Sequence, residues 1–217
     1  MKVALIGATG FVGTALLKEL TDRGHEVVAI ARNPDMIKIR SHLIHAMAAN
    51  VQDPREVARA VKGSDVVISA FNPGWTNPRI VEDIQSGFAA IQEGVKKSGV
   101  KRYIIIGGAG SLYIQPGLQV VDSPKFPAEY RAAAGAVRDY LNVIKKEDAL
   151  DWTFFSPAIM MSHETSGVRR GHYRLGLENP VRDEKGDSIL SVEDLALAIV
   201  DEVENPKHIK QRFTAAY

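Results

Sequence analysis

An apolar run that breaks into three evenly spaced glycines constrains this chain more than any other feature. Val3 to Ile6 is unbroken hydrophobic sequence, and Gly7, Gly10 and Gly13 follow at once. Such a run reads as a strand buried on both faces that stops at a turn. Val12, Leu16 and Leu20 then recur at helical spacing, and Gly24 closes the segment. The glycines therefore lie in a strand-to-helix turn, where backbone amides and the helix N-terminus favour an anion such as a phosphate. Gly7 permits the tight turn, Gly10 admits a pyrophosphate, and Gly13 lets helix and strand pack closely. The spacing is G-x-x-G-x-x-G rather than G-x-G-x-x-G, but the strand before it and the helix after it are the context such a motif requires.

The second strand, Glu26 to Ile30, runs into Ala31-Arg32-Asn33-Pro34. An NAD site usually places a carboxylate here to accept from the ribose 2′-hydroxyl. This chain has Arg32 instead, whose guanidinium suits a 2′-phosphate in a bidentate way, so NADP is expected over NAD.

Further along, Leu43–Ala48, Asp65–Ala70, Lys101–Ile106, Asp151–Phe155 and Gln211–Ala216 read as strands. Helices are expected over Asp53–Val61, with Asp53 as N-cap and Pro54 at its first position, and over Arg79–Ser98 and Ala128–Lys146. Ser191-Val-Glu-Asp194 reads as a capping box opening a last helix to Glu204. Leu112–Phe126 is loop-like, with Pro116, Gly117 and Pro124 as breakers, and Ala158–Asp187 has no clear period. Strands alternating with helices call for an α/β fold, a doubly wound parallel Rossmann-like sheet. One domain over 1–217 is expected, with 158–190 as a substrate-side excursion. Ligands of such sheets bind outside the carboxyl ends of the strands. Those ends carry Gly7–Gly13, Arg32, Ala70–Asn72, Gly107–Ser111 and Ser156–Pro157, five loop starts expected to line one cleft.

With these residues in hand, the chain resembles the atypical short-chain dehydrogenase/reductase family. It is most similar to the branch of NAD(P)H–flavin reductases, biliverdin-reductase-B-like and NmrA-like proteins. Gly7-Ala-Thr-Gly-Phe-Val-Gly13, Arg32, Gly107-Gly-Ala-Gly-Ser111, Trp152-Thr-Phe-Phe-Ser-Pro157 and Ile189–Ala196 carry the likeness, with Asn205-Pro206 behind them. The resemblance implies cofactor contacts at Gly7, Thr9, Gly10, Phe11, Val12, Gly13, Arg32, Asp53, Ala70, Phe71, Asn72, Gly107, Gly108 and Pro157. Ser111 and Tyr130 are the catalytic candidates.

Typical members of the wider family use Tyr-x-x-x-Lys, but here the text is Tyr130-Arg-Ala-Ala-Ala134. Without the lysine, Tyr130 lacks the cation that lets such a tyrosine move protons, and Arg131 points to another helix face. Alcohol–ketone chemistry is therefore disfavoured, and so is epimerase or dehydratase chemistry on a nucleotide sugar. Reduction of a flat acceptor does not need the pair, since hydride passes directly from nicotinamide and the protein binds and orients. The acceptor is expected to be a flavin (FMN or FAD as substrate), a quinone or a tetrapyrrole-like molecule, with Phe71, Trp75 and Phe126 as a candidate aromatic wall. The alternative is an NADP(H)-binding redox sensor that performs no chemistry.

Composition excludes much else. The 217 residues carry a formal net charge of +1 and no cysteine, so thiolate chemistry is absent and nucleic acid is not an expected partner. The cysteine-free sequence fits a cytoplasmic protein. No apolar run nears the ~20 residues of a membrane span, and no signal peptide is expected. His42 and His45 lie three apart at a strand start and face opposite sides, so no metal site is expected. An oligomer is left open.

Overall fold

The first apolar run is a strand, β1 (Lys2–Ile6), in which Val3 to Ile6 are at most 1% exposed. It leads through the glycine turn into α1 (Phe11–Asp22), which buries Leu16, Leu17 and Leu20. In chain order there follow β2 (Glu26–Ala31), β3 (Ile44–Ala48), α2 (Pro54–Val61), β4 (Val66–Ser69), α3 (Ile80–Ser98) and β5 (Arg102–Ile106). The second half of the chain adds β6 (Tyr113–Gln115), β7 (Leu118–Gln119), α4 (Ala128–Ile144), β8 (Asp151–Ser156), β9 (Arg174–Gly176), α5 (Val192–Glu204) and β10 (Gln211–Ala216). The computed structural model describes all residues 1–217.

The eight-stranded sheet has the order β3-β2-β1-β4-β5-β8-β10-β9. This is the doubly wound α/β fold that the alternation of strands and helices demands. The chain forms two compact units, residues 1–105 with 147–152 and residues 106–146 with 153–217. The stretch 158–190 lies wholly in the second.

In the first unit the ladders β1–β2, β1–β4, β2–β3 and β4–β5 are all parallel. β1 lies between β2 and β4, so the strand order reverses at β1 and the glycine turn stands at that switch point. Asp53 caps α2 by accepting from the Arg55 amide at 2.8 Å, and Pro54 opens the helix. The segment 147–152 completes this unit. Glu147 there accepts from Gln92 Nε2 at 2.8 Å and pairs with Lys96 Nζ at 3.1 Å, both on α3. Burial works to raise its carboxyl, but the Ala149 amide, Gln92 and Lys96 hold it below its ordinary value.

In the second unit β8 and β10 pair in parallel, and β9 runs antiparallel along β10. The loop-like stretch after Ser111 holds a short hairpin of β6 and β7. Arg131 of α4 donates to the carbonyls of Val121 (2.7 Å), Ser123 (3.2 Å) and Phe126 (2.9 Å), which fixes the path into the helix.

The capping box expected at Ser191-Val-Glu-Asp194 is only half formed. Ser191 caps α5 by accepting from the Asp194 amide at 3.1 Å, but Asp194 does not return to the Ser191 amide as a capping box requires. That amide donates to the Tyr217 hydroxyl at 3.1 Å. Asp194, fully buried, instead accepts from the amides of Arg170 (2.8 Å) and Gly171 (2.9 Å) and from the Tyr217 hydroxyl (2.5 Å). One carboxylate thus ties α5 to the long excursion and to the last residue.

Candidate active site

Each glycine of the first turn answers a different geometric demand. Gly7 has φ +81°, the left-handed region, and a methyl there would stand 2.6 Å from the Ala70 carbonyl oxygen. At Gly13 a methyl would lie 2.0 Å from the Gly7 carbonyl oxygen. Gly10 differs. Its nearest neighbour would be the Gly7 oxygen at 3.4 Å, and the residue is exposed. Protein packing thus demands glycine at 7 and 13, whereas Gly10 borders open space at the first turn of α1. No side chain caps that helix and no acidic residue sits in its first turn. The amides of Val12 and Gly13 are therefore left for an outside acceptor, with Thr9 exposed beside them. A pyrophosphate fits this cradle.

Arg32 follows β2 and is exposed, and its guanidinium has neither a hydrogen-bond nor an ion-pair partner. A cation kept free at this place suits an anionic ligand. Asp53, expected among the cofactor contacts, is committed within the protein. Its Oδ1 accepts from the Arg55 amide, and its Oδ2 pairs with Arg55 Nη2 at 3.0 Å. Those bonds hold its carboxyl below the ordinary value. After β4, the Ala70 amide donates to the Ile6 carbonyl at 2.9 Å, which brings the Ala70–Asn72 segment to the glycine turn. The Phe71 ring packs into α3, against the place a Gly87 side chain would fill, and meets Phe88 edge-on at 5.9 Å. Phe71 is therefore wall rather than platform. Asn72 Oδ1 accepts from the Gly74 amide, and Trp75 is 59% exposed.

In the second unit the turn after β5 is shaped by packing. A methyl on Gly107 would lie 2.1 Å from the Phe154 ring, and the Gly107 amide donates to the Phe155 carbonyl at 2.8 Å. Gly108 faces Val137 of α4. Ser111, a candidate catalyst, is 1% exposed. Its hydroxyl lies 3.0 Å from the Gly108 carbonyl and 2.9 Å from Ser156 Oγ. Arg212 of β10, fully buried, donates from Nη1 to the Ser111 carbonyl at 3.0 Å and hydroxyl at 3.2 Å. The same guanidinium forms an ion pair with Glu178. Burial works to raise the Glu178 carboxyl, and Arg212 holds it below its ordinary value. Ser111 is thus a tether within a buried network rather than a group presented to an incoming molecule.

Tyr130 stands in the first turn of α4, 45% exposed. One turn on, the Ala134 methyl is 3.4 Å from where a Gly110 side chain would begin. The place where the wider family carries lysine therefore lies against the Gly107–Ser111 turn, and here it holds a methyl. Phe126 is covered by the Arg131 guanidinium at 5.8 Å from its centroid, and Pro157 is buried behind β8.

Within the first unit, then, the structure brings together Gly7, Gly13 and Ala70. Within the second it brings together Gly107, Gly110, Ser111, Ala134 and Ser156. Arg212 and Glu178 belong to the second group, and the sequence reading passed over both. The available signal was one arginine inside an otherwise uncharged strand, Gln211-Arg-Phe-Thr-Ala-Ala216.

This turn and sheet define a nucleotide-binding α/β protein, and comparison with known proteins agrees. The pattern of the NAD(P)H-binding family matches residues 7–206, and the chain belongs to that family. YwnB of Bacillus subtilis, an uncharacterised protein, is 36% identical over 219 residues, covering 99% of this chain and 97% of the relative. A candidate epimerase from Bacteroides thetaiotaomicron is 46% identical, with a TM-score of 0.91 over 100% of this chain and 96% of that one. A candidate NADH-flavin reductase from Streptococcus pneumoniae is 33% identical, with a TM-score of 0.86 over 100% and 99%. These relatives establish an NAD(P)H-binding, Rossmann-type oxidoreductase fold. No helix is long and apolar enough to cross a membrane.

Proposed function

We propose that this protein is an NADPH-dependent reductase that passes hydride to a flavin or a similar flat acceptor. The observation that carries the reading is Ala134, set against Gly110 where a proton-moving tyrosine would need its lysine. That pair serves alcohol–ketone and epimerase chemistry, in which an oxygen-bound proton moves with the hydride. A flavin ring takes hydride at nitrogen, and the protein then contributes binding and orientation.

Nicotinamide, when bound, supplies the hydride. The chain supplies the place. The amides of Val12 and Gly13 at the N-terminus of α1 hold the pyrophosphate, and the open space at Gly10 lets it approach. Arg32 pairs with the 2′-phosphate, which makes NADPH the preferred donor. The likeness to a candidate NADH-flavin reductase supports the acceptor class. The absence of cysteine supports a reducing, cytoplasmic setting.

The same alanine also supports a second reading, a cofactor-sensing module without turnover. One experiment separates them. Purified protein is given NADPH with FMN, riboflavin or a quinone, and loss of NADPH is followed spectroscopically while binding is measured by fluorescence. Oxidation that depends on both protein and acceptor supports the reductase. NADPH binding with no oxidation across the panel overturns it in favour of the sensor.

A further inference from the structure

We propose that Arg212 is a positioning residue: it anchors the Gly107–Ser111 turn and fixes the direction in which the Ser111 hydroxyl donates. For turnover this rests on the reductase reading; for the turn itself it does not. Arginine can only donate, so every oxygen that faces Arg212 must accept from it. Nη1 serves the Ser111 carbonyl at 3.0 Å and the hydroxyls of Ser111 and Ser156 at 3.2 and 3.4 Å. With that supply from above, the Ser111 hydrogen is directed at the Gly108 carbonyl, 3.0 Å away, and Ser156 donates to Ser111 across 2.9 Å. The Ser111 and Ser156 hydroxyls then each have one donor role and its partner. The order Ser156 to Ser111 to Gly108 runs one way.

The cost of this arrangement argues for a purpose. A guanidinium with no exposed surface is expensive to bury, and its counter-ion Glu178 is itself 47% exposed. Glu178 comes from the excursion, whose carbonyl at that residue also accepts from the Tyr113 amide at 2.9 Å. Asn179 adds a bond from Nδ2 to the Tyr113 carbonyl at 2.7 Å. Arg212 thus links the turn after β5 to the segment 174–179. In α/β sheets the turn after a strand's carboxyl end is where ligands meet the protein.

The test compares Arg212→Lys, Arg212→Met and Ser156→Ala with the parent protein by hydrogen exchange and by kinetics with NADPH and FMN. In Arg212→Met, exchange of the 107–113 amides is expected to rise about tenfold or more, the factor that one lost charge-assisted hydrogen bond represents. Peptides of α5 and of the first unit stay unchanged, kcat with FMN falls by a similar factor, and NADPH affinity holds. Arg212→Lys keeps one donor and is expected to recover part of both effects. Ser156→Ala removes one neutral bond and is expected to raise exchange there by about two- to tenfold. Should Arg212→Met not fold, the other two variants decide. Exchange that rises everywhere together in them, or not at all at 107–113, overturns the proposal. A parent protein that turns over no acceptor overturns the reductase reading only, because the exchange measurements still judge the role of Arg212.

Discussion

A methyl group on Gly13 would stand 2.0 Å from the carbonyl oxygen of Gly7, while one on Gly10, in the same turn, would meet nothing closer than 3.4 Å. The two substitutions therefore separate folding from binding. Gly13→Ala forces backbone apart and is expected to destabilise the protein by about 1–3 kcal/mol. Gly10→Ala is expected to shift stability by less than about 1 kcal/mol, yet to weaken NADPH binding about tenfold or more by filling the space at the helix start. Thermal unfolding without cofactor, set beside a cofactor titration, checks both. Equal loss of stability in the two variants would refute the distinction.

The proposed preference for NADPH rests on Arg32. Hydrogen bonds to charged groups contribute about 1.5–3 kcal/mol, so Arg32→Ala is expected to lower NADPH affinity roughly ten- to a hundredfold. NADH affinity changes little, and Arg32→Asp moves the preference further toward NADH by repelling the phosphate. The ratio of the two dissociation constants is the quantity to measure. A parent protein without preference, or an Arg32→Ala variant that loses both cofactors equally, reduces Arg32 to a surface residue.

At the end of β5, Gly107 and Phe154 divide one volume between them. Gly107→Ala is expected to cost about 1–3 kcal/mol through overpacking. In a Phe154→Leu background the same change should cost less, with a coupling of about 0.5–3 kcal/mol in the double-mutant cycle. Additive penalties in denaturant titrations would show that the ring yields without strain.

Tyr130 offers a check on the chemistry. General acid–base catalysis contributes about 10²–10⁴-fold, so Tyr130→Phe should reduce FMN reduction by less than about threefold if no proton passes through that hydroxyl. A loss of two orders of magnitude in kcat would restore the tyrosine to the mechanism and argue for a hydroxyl or carbonyl substrate.

Acid sensitivity follows from Asp194 and Tyr217. Burial works to raise the Asp194 carboxyl, but the Tyr217 hydroxyl, the Gly171 and Arg170 amides and Ser191 hold it below its ordinary value. The carboxylate's stabilising effect is therefore present above the ordinary carboxylate range and is lost as pH falls through the depressed value. Burial and the Asp194 bond push Tyr217 the other way, above its ordinary value, so its contribution is present below that value and is lost as pH rises through the raised one. Tyr217→Phe should cost about 1.5–3 kcal/mol at neutral pH, with the deficit closing in acid. Unfolding curves across the acid range would show this, and a deficit independent of pH would contradict it.

How much of this was legible beforehand depended on range. The glycine turn, Arg32 and the capped start at Asp53 are local, and their spacing alone places them on a strand end or a helix start. The alternation of elements announces a parallel, doubly wound sheet, whereas the order of its strands comes from the structure. The buried bonds of Ser111 were not legible because Arg212, which donates to it, lies 101 positions away, and no periodicity connects them. Asp194 looked like half of a capping box because Tyr217, which takes its place at the Ser191 amide, is the last residue of the chain. β9 went unseen because its three residues gain their structure from β10 rather than from any pattern of their own.

Glu147 has a consequence for how the protein is made. The first unit ends its first stretch at residue 105 and is completed by 147–152, where Glu147 meets Gln92 and Lys96 of α3. At about 5–20 residues per second on the ribosome, the nascent unit waits several seconds for that piece and for the carboxylate that Gln92 and Lys96 meet. The intervening stretch is the part that carries the Gly107–Ser111 turn and α4. The chain therefore completes α4, a helix of the second unit, before the first unit has all its residues.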